Sequence, residues 1–294
     1  MADANARIEP PVRPEFEIRD VGAARFGEVE RPLSAFERVW NRTWVRRAFI
    51  VAMLAAAWEL YGRWLGNPLM FPRFGEVAAA FYDAFVGGPL LGRMITTLQV
   101  LLIGYSAGLA LAAVFTTLAV STRFGNDLLS TLTAMFNPLP AIALLPLALL
   151  WFGLGVPSLV FVIVHSVLWA VALNTHTGFK SVSETLRMAG MNYGLGGVRY
   201  VVKILIPAAF PSILAGLKIG WAFAWRTLIA AELVFGVSAR SGGLGWYIFE
   251  NRNLLETANV FAGLLTVIVI GLFVEGVIFR AIEARTVRRW GMQR

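Results

Sequence analysis

Five side chains of chemical interest fall inside or beside long apolar runs: Glu59, His165, Lys218, Arg226 and Glu232. None belongs to an enzyme constellation. No Lys follows a Gly, so a GxxxxGK[ST] phosphate loop is absent. The two histidines, His165 and His176, are not paired as HExxH, and there is no GxSxG. With no cysteine there is neither a disulfide nor a thiolate metal site. The expectation is a chain with no catalytic residues, no metal site and no cofactor of its own. A charge at bilayer depth costs about 2.5–3.5 kcal/mol, so it faces a partner or water. At about 100° per residue, Lys218, Ala222, Trp225, Ile229 and Glu232 share a helix face about 60° wide, and Arg226 lies about 120° from Glu232. Arg226 is then placed to line a pathway and favour an anion, or to pair with Glu59 or with Glu232 of another helix. Glu59 reads as structural. His165 reads as a hydrogen-bonded packing histidine or as a pathway residue. Pro138, Pro140 and Pro146 each remove a backbone donor and are expected to break their helix. Asn137 to Pro146 becomes either a cavity wall or a packing kink. The candidate pathway is Asn137, Pro140, His165, Arg226 and Glu232.

The elements that would position these residues are legible from composition. Hydrophobic residues make up 57% of 294 and charged residues 15%, with a mean hydropathy of +0.67. Soluble domains carry about 25% charged residues. An all-α polytopic membrane protein is expected, with six transmembrane helices. They run from Ala48 to Leu65, Met94 to Val120, Leu128 to Leu150, Ser158 to Leu173, Ser212 to Phe235 and Ala258 to Phe279, the fourth being the shortest. Six spans put both termini on one side. If that side is cytoplasmic, the inner segments 1–47, 121–127, 174–211 and 280–294 hold 19 Lys and Arg, against five outside. This asymmetry predicts cytoplasmic termini. It also accounts for the net charge of +8 without nucleic acid. The first 47 residues carry nine Arg ahead of any long apolar run, unlike a cleavable signal.

The domains follow: a cytoplasmic tail over 1–47, a transmembrane domain over 48–279 with a cytoplasmic loop over 174–211, and a C-terminal cytoplasmic tail over 280–294. Met1–Arg31, rich in Pro, Arg and Glu, reads as unstructured. Ser34 and Glu37 have capping-box spacing. Phe36, Val39, Trp40 and Trp44 interleave with Arg38, Arg42, Arg46 and Arg47. Residues 33–47 are expected as an amphipathic helix on membrane lipid, or as a plain lead-in to the first span. Helical spacing predicts an outer helix over Pro72 to Val86. In the loop 174–211, two short helical stretches flank Gly194, Gly196 and Gly197, an arrangement suited to docking into a groove on another protein.

That loop resembles one in the permeases of ABC-type importers, which has the form Glu-Ala-Ala, three residues, Gly, nine residues, Ile-x-Leu-Pro. Here Gly194 is followed by nine residues and Ile204-Leu205-Ile206-Pro207, and Met188-Ala189-Gly190 stands where Glu-Ala-Ala would. The missing Glu is shared with a branch resembling permeases for nitrate, taurine, sulfonates and bicarbonate. Trp58-Glu59, Asn137-Pro138-Leu139-Pro140, Leu145-Pro146, Trp151-Phe152-Gly153-Leu154-Gly155, Ala230-Ala231-Glu232 and Gly242-Gly243-Leu244-Gly245 look like that branch too. The resemblance covers roughly Ala48 to Trp290. It implies a type I importer permease working as a homodimer with two ATPase subunits and a periplasmic or lipid-anchored substrate-binding protein. ATP and Mg would be held by the ATPases. Glu184, Arg187, Ala189, Gly190, Gly194, Arg199, Ile204 and Pro207 would belong to the loop that docks on the ATPase. A self-sufficient secondary transporter or channel is the alternative. A membrane-embedded enzyme lacks a site constellation.

Overall fold

The computed structural model describes residues 34–235 and 242–289. The unstructured reading of Met1–Arg31 and the last residues of the C-terminal tail lie outside that range. Every regular element among the described residues is helical. The chain divides into two compact units, one ending at Leu54 and one beginning at Ala55.

In the first unit, α1 (Ala35–Trp40) opens on the expected capping box. The Glu37 amide donates to Ser34 Oγ at 3.2 Å, and the Ser34 amide donates to Glu37 Oε2 at 2.8 Å. A turn at Asn41 and Arg42 then ends the helix, and α2 (Thr43–Leu65) begins. The amphipathic helix expected over 33–47 is therefore split. Asparagine competes for backbone bonds and favours helix ends, so Thr43 to Arg47 join the first span instead. Phe36, Val39 and Trp44 are exposed, and Trp40 packs its edge on Phe49 at 5.2 Å.

In the second unit, α3 (Phe74–Val86) is a helix where helical spacing predicts one. It is followed by α4 (Leu90–Ser121) and α5 (Arg123–Phe136). A 3₁₀ turn (Ala141–Leu144) leads into α6 (Leu145–Phe152) and α7 (Val156–Lys180). Next come α8 (Glu184–Asn192), α9 (Gly197–Tyr200), a π-helical segment (Val201–Leu205) and α10 (Ile206–Phe235). The unit ends with α11 (Leu244–Asn253), α12 (Thr257–Phe273), a second π-helical segment (Val274–Phe279) and α13 (Arg280–Arg285). Among the described residues, five helices are long and apolar enough to cross a membrane. A sixth span forms if α5 and the Ala141–Phe152 stretch, bent by 87° to each other, count as one.

Three expectations about the spans need correction. The fourth is not the shortest: α7 has 25 residues and is the most buried span. Its polar end stays helical because Asn174 Nδ2 donates to Ala170 O and His176 is buried. The third span breaks only at Asn137–Pro140. Pro146 sits in the first turn of α6, where a missing N–H costs nothing. The fifth span does not begin at Ser212, after Pro207 and Pro211. The helix is already running from Gly197, Pro211 lies inside it, and the π-helical segment absorbs the defect, with the Ile206 amide reaching Val201 O. The last helix likewise continues past Phe279 to Arg285, so no structural break marks residue 280.

The helix α7 is packed between α4 and α10. Small residues set these contacts. A Cβ on Gly104 or Gly108 of α4 would come within 2.7 Å of Ile163 or Val167, and one on Gly216 or Gly220 of α10 within 2.8 or 2.9 Å of Asn174 or Val171. Helices in lipid gain little from apolar burial and depend on such close backbone approach.

Candidate functional site

The bend in the third span opens a cavity. Proline cannot donate to the ladder, and Pro140 is extended (φ −61°, ψ 120°). The chain from Asn137 to Ile142 therefore leaves the helical path and forms one wall. His165, Ser166 and Trp169 of α7 form the second, and Phe223, Arg226, Thr227 and Ala230 of α10 the third. The cavity is open on one side, with a volume of about 360 Å³. Four of the five residues expected on a pathway, Asn137, Pro140, His165 and Arg226, meet here.

Arg226 is held by its own helix. Its Nε donates to Ala222 O at 3.0 Å and its guanidinium lies 5.2 Å from the centre of the Phe223 ring. It pairs with neither expected acid. Glu59 accepts from Arg63 at 2.7 Å and from the Gly75 amide at 3.1 Å, tying α2 to the start of α3. Glu232 faces away from the cavity and is fully buried. It accepts from the Thr97 hydroxyl at 2.9 and 3.0 Å and from the Gly245 amide at 2.9 Å, while Thr97 accepts from the Leu244 amide at 2.7 Å. Glu232 therefore fastens the N-terminus of α11 to α4 and α10, and its place among the pathway residues is withdrawn. Lys218 pairs with Glu283 of α13 at 2.7 Å.

His165 is also not the hydrogen-bonded histidine that one reading expected. Its ring packs edge-on to Phe136 and Trp169 at 6.3 and 6.2 Å. Both its nitrogens are buried without a partner among the described residues, as is Trp169 Nε1. A buried polar atom left unpaired is costly, and three of them belong to residues that line this cavity.

The second constellation is the elbow between α7 and α10. The helix α8 ends in a paired-bond stop: the Leu195 amide donates to Gly190 O at 3.1 Å and the Gly194 amide to Met191 O at 2.8 Å. This Schellman geometry requires a left-handed residue, and Gly194 supplies φ +70°. Gly197 repeats the device at φ +54° to start α9. Gly190 faces inward, where a Cβ would meet Ile204 and Tyr200 at 3.0 and 3.1 Å. This close fit folds α8 back against the chain leading into α10. Glu184 and Arg199 are exposed, Ala189 and Pro207 half-buried. Arg187 differs from its expected role on a partner's surface. It donates to Phe179 O at 2.6 Å and Val182 O at 3.2 Å, capping the end of α7.

Sequence reasoning missed Trp169, Phe223 and Thr227 of the cavity and Thr97 of the buried clamp. The Gly-x-x-x-Gly spacings at 104–108 and 216–220 were a usable signal for the packing of α4 and α10 on α7.

Residues 104–288 match the family of binding-protein-dependent transport system inner membrane components. The chain is 30% identical to a taurine transport system permease protein of Escherichia coli over 77% of its length and 82% of that protein's. It is 27% identical to a nitrate import permease protein of Synechocystis over 79% and 85%. It is 31% identical to a Methanocaldococcus jannaschii protein assigned as an ABC transporter permease over 79% and 87%.

Proposed function

The chain belongs to the family of binding-protein-dependent transport system inner membrane components, and on that premise we propose that it carries a small anion inward through the cavity at the bend of the third span, driven by ATP hydrolysed on partner subunits. Two copies would form the pathway. Each would seat its elbow on an ATPase at the cytoplasmic face, where both termini lie, and a binding protein would deliver the solute outside. The relatives named for taurine and nitrate import support an anionic solute.

The observation that carries this reading is an uninterrupted helical rod. From Gly197 to Phe235 the backbone stays helical, so the glycine-hinged elbow and Arg226 share one stiff element. At about 1.5 Å per residue, the elbow lies about 40 Å from Arg226 along that rod. A displacement at the elbow is thereby delivered to the cavity wall. The cavity itself presents the Arg226 cation, and its lining among the described residues includes no Asp or Glu, which suits a negative guest.

The test is reconstitution of the assembled complex in proteoliposomes. Uptake is expected to require ATP on the elbow side and the binding protein on the other. If the isolated chain moves solute on an ion gradient without ATP, the secondary-transporter reading replaces this one.

A further inference from the structure

We infer that Glu275 is the resident counter-ion of Arg226: its carboxylate pairs with the guanidinium while no solute is bound and yields it when an anion enters. The inference rests on the pathway reading above and adds a second residue to it.

Two spaces share Arg226. One is the cavity at the bend of the third span. The other is a groove of about 390 Å³ between α10 and the helical stretch Thr257–Arg285, bordered by Lys218, Trp221, Trp225, Arg226, Glu275 and Phe279. Among the described residues, Arg226 alone borders both.

Register brings Glu275 to the guanidinium. Lys218 Nζ meets Glu283 at 2.7 Å, the Trp221 ring meets Phe279 at 6.5 Å, and a Cβ on Gly271 would meet Trp225 Nε1 at 3.9 Å. These contacts climb one chain as they descend the other, so the two helices are antiparallel. Glu275 lies midway between Phe279 and Gly271 in sequence, and so at the level between Trp221 and Trp225. Arg226 starts higher but turns back, because its Nε donates to Ala222 O at 3.0 Å, one turn below. Helical side chains lean toward the N-terminus of their own helix. In antiparallel neighbours these leanings carry the two head groups toward each other.

Neither charge is otherwise satisfied. Glu275 sits in a helix apolar and long enough to span a membrane, is exposed, and has no ion-pair partner among the described residues. A lone carboxylate at bilayer depth is costly and turns to a partner. Lys218 is taken by Glu283, and Arg280 does not border the groove, which leaves Arg226. In the structure the guanidinium rests 5.2 Å from the centre of the Phe223 ring, a wall of the bend cavity. The pair is thus open, with the guanidinium on the solute side. Its terminal nitrogens are unused, and the edge they form holds one oxygen pair at a time. Solute and carboxylate therefore exclude each other, and the exchange leaves the cation paired in both states.

The experiment uses the full-length chain in nanodiscs for stability, and the complex with its ATPase and binding protein in proteoliposomes for uptake. Glu275→Arg sets two cations at one level and should lower the unfolding temperature. Adding Arg226→Glu should restore it, whereas adding Arg280→Glu should not. Glu275→Gln removes the solute's competitor. With taurine and nitrate as probes, the KM of the anion taken up should fall by about threefold in that variant, with a smaller change in maximal rate, and Glu275→Asp should lie between it and wild type. A carboxylate with only a structural role would lose stability in Glu275→Gln without a lower KM. Failure of Arg226→Glu to rescue Glu275→Arg, equal rescue by Arg280→Glu, or an unchanged or higher KM in Glu275→Gln would each overturn the inference. If the wild-type complex takes up neither anion, the pathway reading fails for these solutes, and rescue of Glu275→Arg alone decides whether the two charges pair.

Discussion

Replacing Gly194 with valine isolates the elbow from every other feature of the chain. A Cβ at this position would meet no atom within 4 Å, so the substitution introduces no clash with a neighbour. Its whole effect comes from φ +70°. An L-residue in the left-handed region costs about 1–2 kcal/mol, and a β-branched one lies at or beyond the upper end because its χ1 is restricted there too. That energy lowers the ratio of folded-back to open elbow by about 5- to 30-fold. The two bonds that stop α8, from the Leu195 and Gly194 amides, are lost together when the turn opens. The spans are untouched, so membrane insertion and expression should stay at wild-type level. Solute taken up per ATP hydrolysed by the complex in proteoliposomes should fall by a similar factor. Gly194→Asn is the matched control, because asparagine tolerates this region, and it should retain most of the coupling. Equal uptake in the valine variant, or equal loss in the valine and asparagine variants, would refute the link between backbone handedness and coupling.

Three further outcomes follow from the packing. Thr97→Val leaves the Leu244 amide without its acceptor and Glu232 with the Gly245 amide as its one remaining donor among the described residues. Unpaired buried groups cost about 1–3 kcal/mol each, so thermal unfolding of the solubilised protein should drop clearly, with Thr97→Ser close to wild type. Gly108→Leu forces a side chain into the 2.7 Å approach to Val167. Overpacking of this kind costs about 1–3 kcal/mol or more, and a fall in the yield of monodisperse protein checks it. Lys218→Met breaks the pair with Glu283, whose side chains are 36% and 19% exposed. Such pairs are worth about 0–1 kcal/mol, so its unfolding temperature should barely move, whereas Lys218→Glu should lower it and Glu283→Lys should rescue that variant.

The features legible in the sequence are those set by local chemistry. Ser34 and Glu37 close their box within one turn. Gly194 and Gly197 announce left-handed positions, and the apolar runs announce spans. Where the readings drifted, a neighbour far along the chain had intervened. The fourth span looked short because Asn174 to Thr177 are polar, yet the helix continues there because α10 offers Gly216 and Gly220 for close packing. Pro146 looked equivalent to Pro138 and Pro140, but once those two had broken the helix, a new one had to start. A proline in a first turn begins a helix and does not bend one. Pro207 and Pro211 looked like a beginning, but a π-helical stretch can carry a helix through missing donors.

Arg226 and Glu232 make the same point about function. They are two charges on one helix, separated by less than two turns, and composition treats them alike. The difference is made by what the rest of the fold brings to each. Thr97, 135 residues away in sequence, and the amide of Gly245 converge on Glu232, which leaves it no capacity for a solute. No group among the described residues converges in the same way on the tip of Arg226. Its neighbours in the cavity, His165 and Trp169, carry buried polar atoms that also lack partners. A charge whose neighbours satisfy it is part of the scaffold. A charge that keeps unused donors beside a cavity is available to a guest, and under the proposed anion pathway Arg226 is the residue whose replacement should change uptake most.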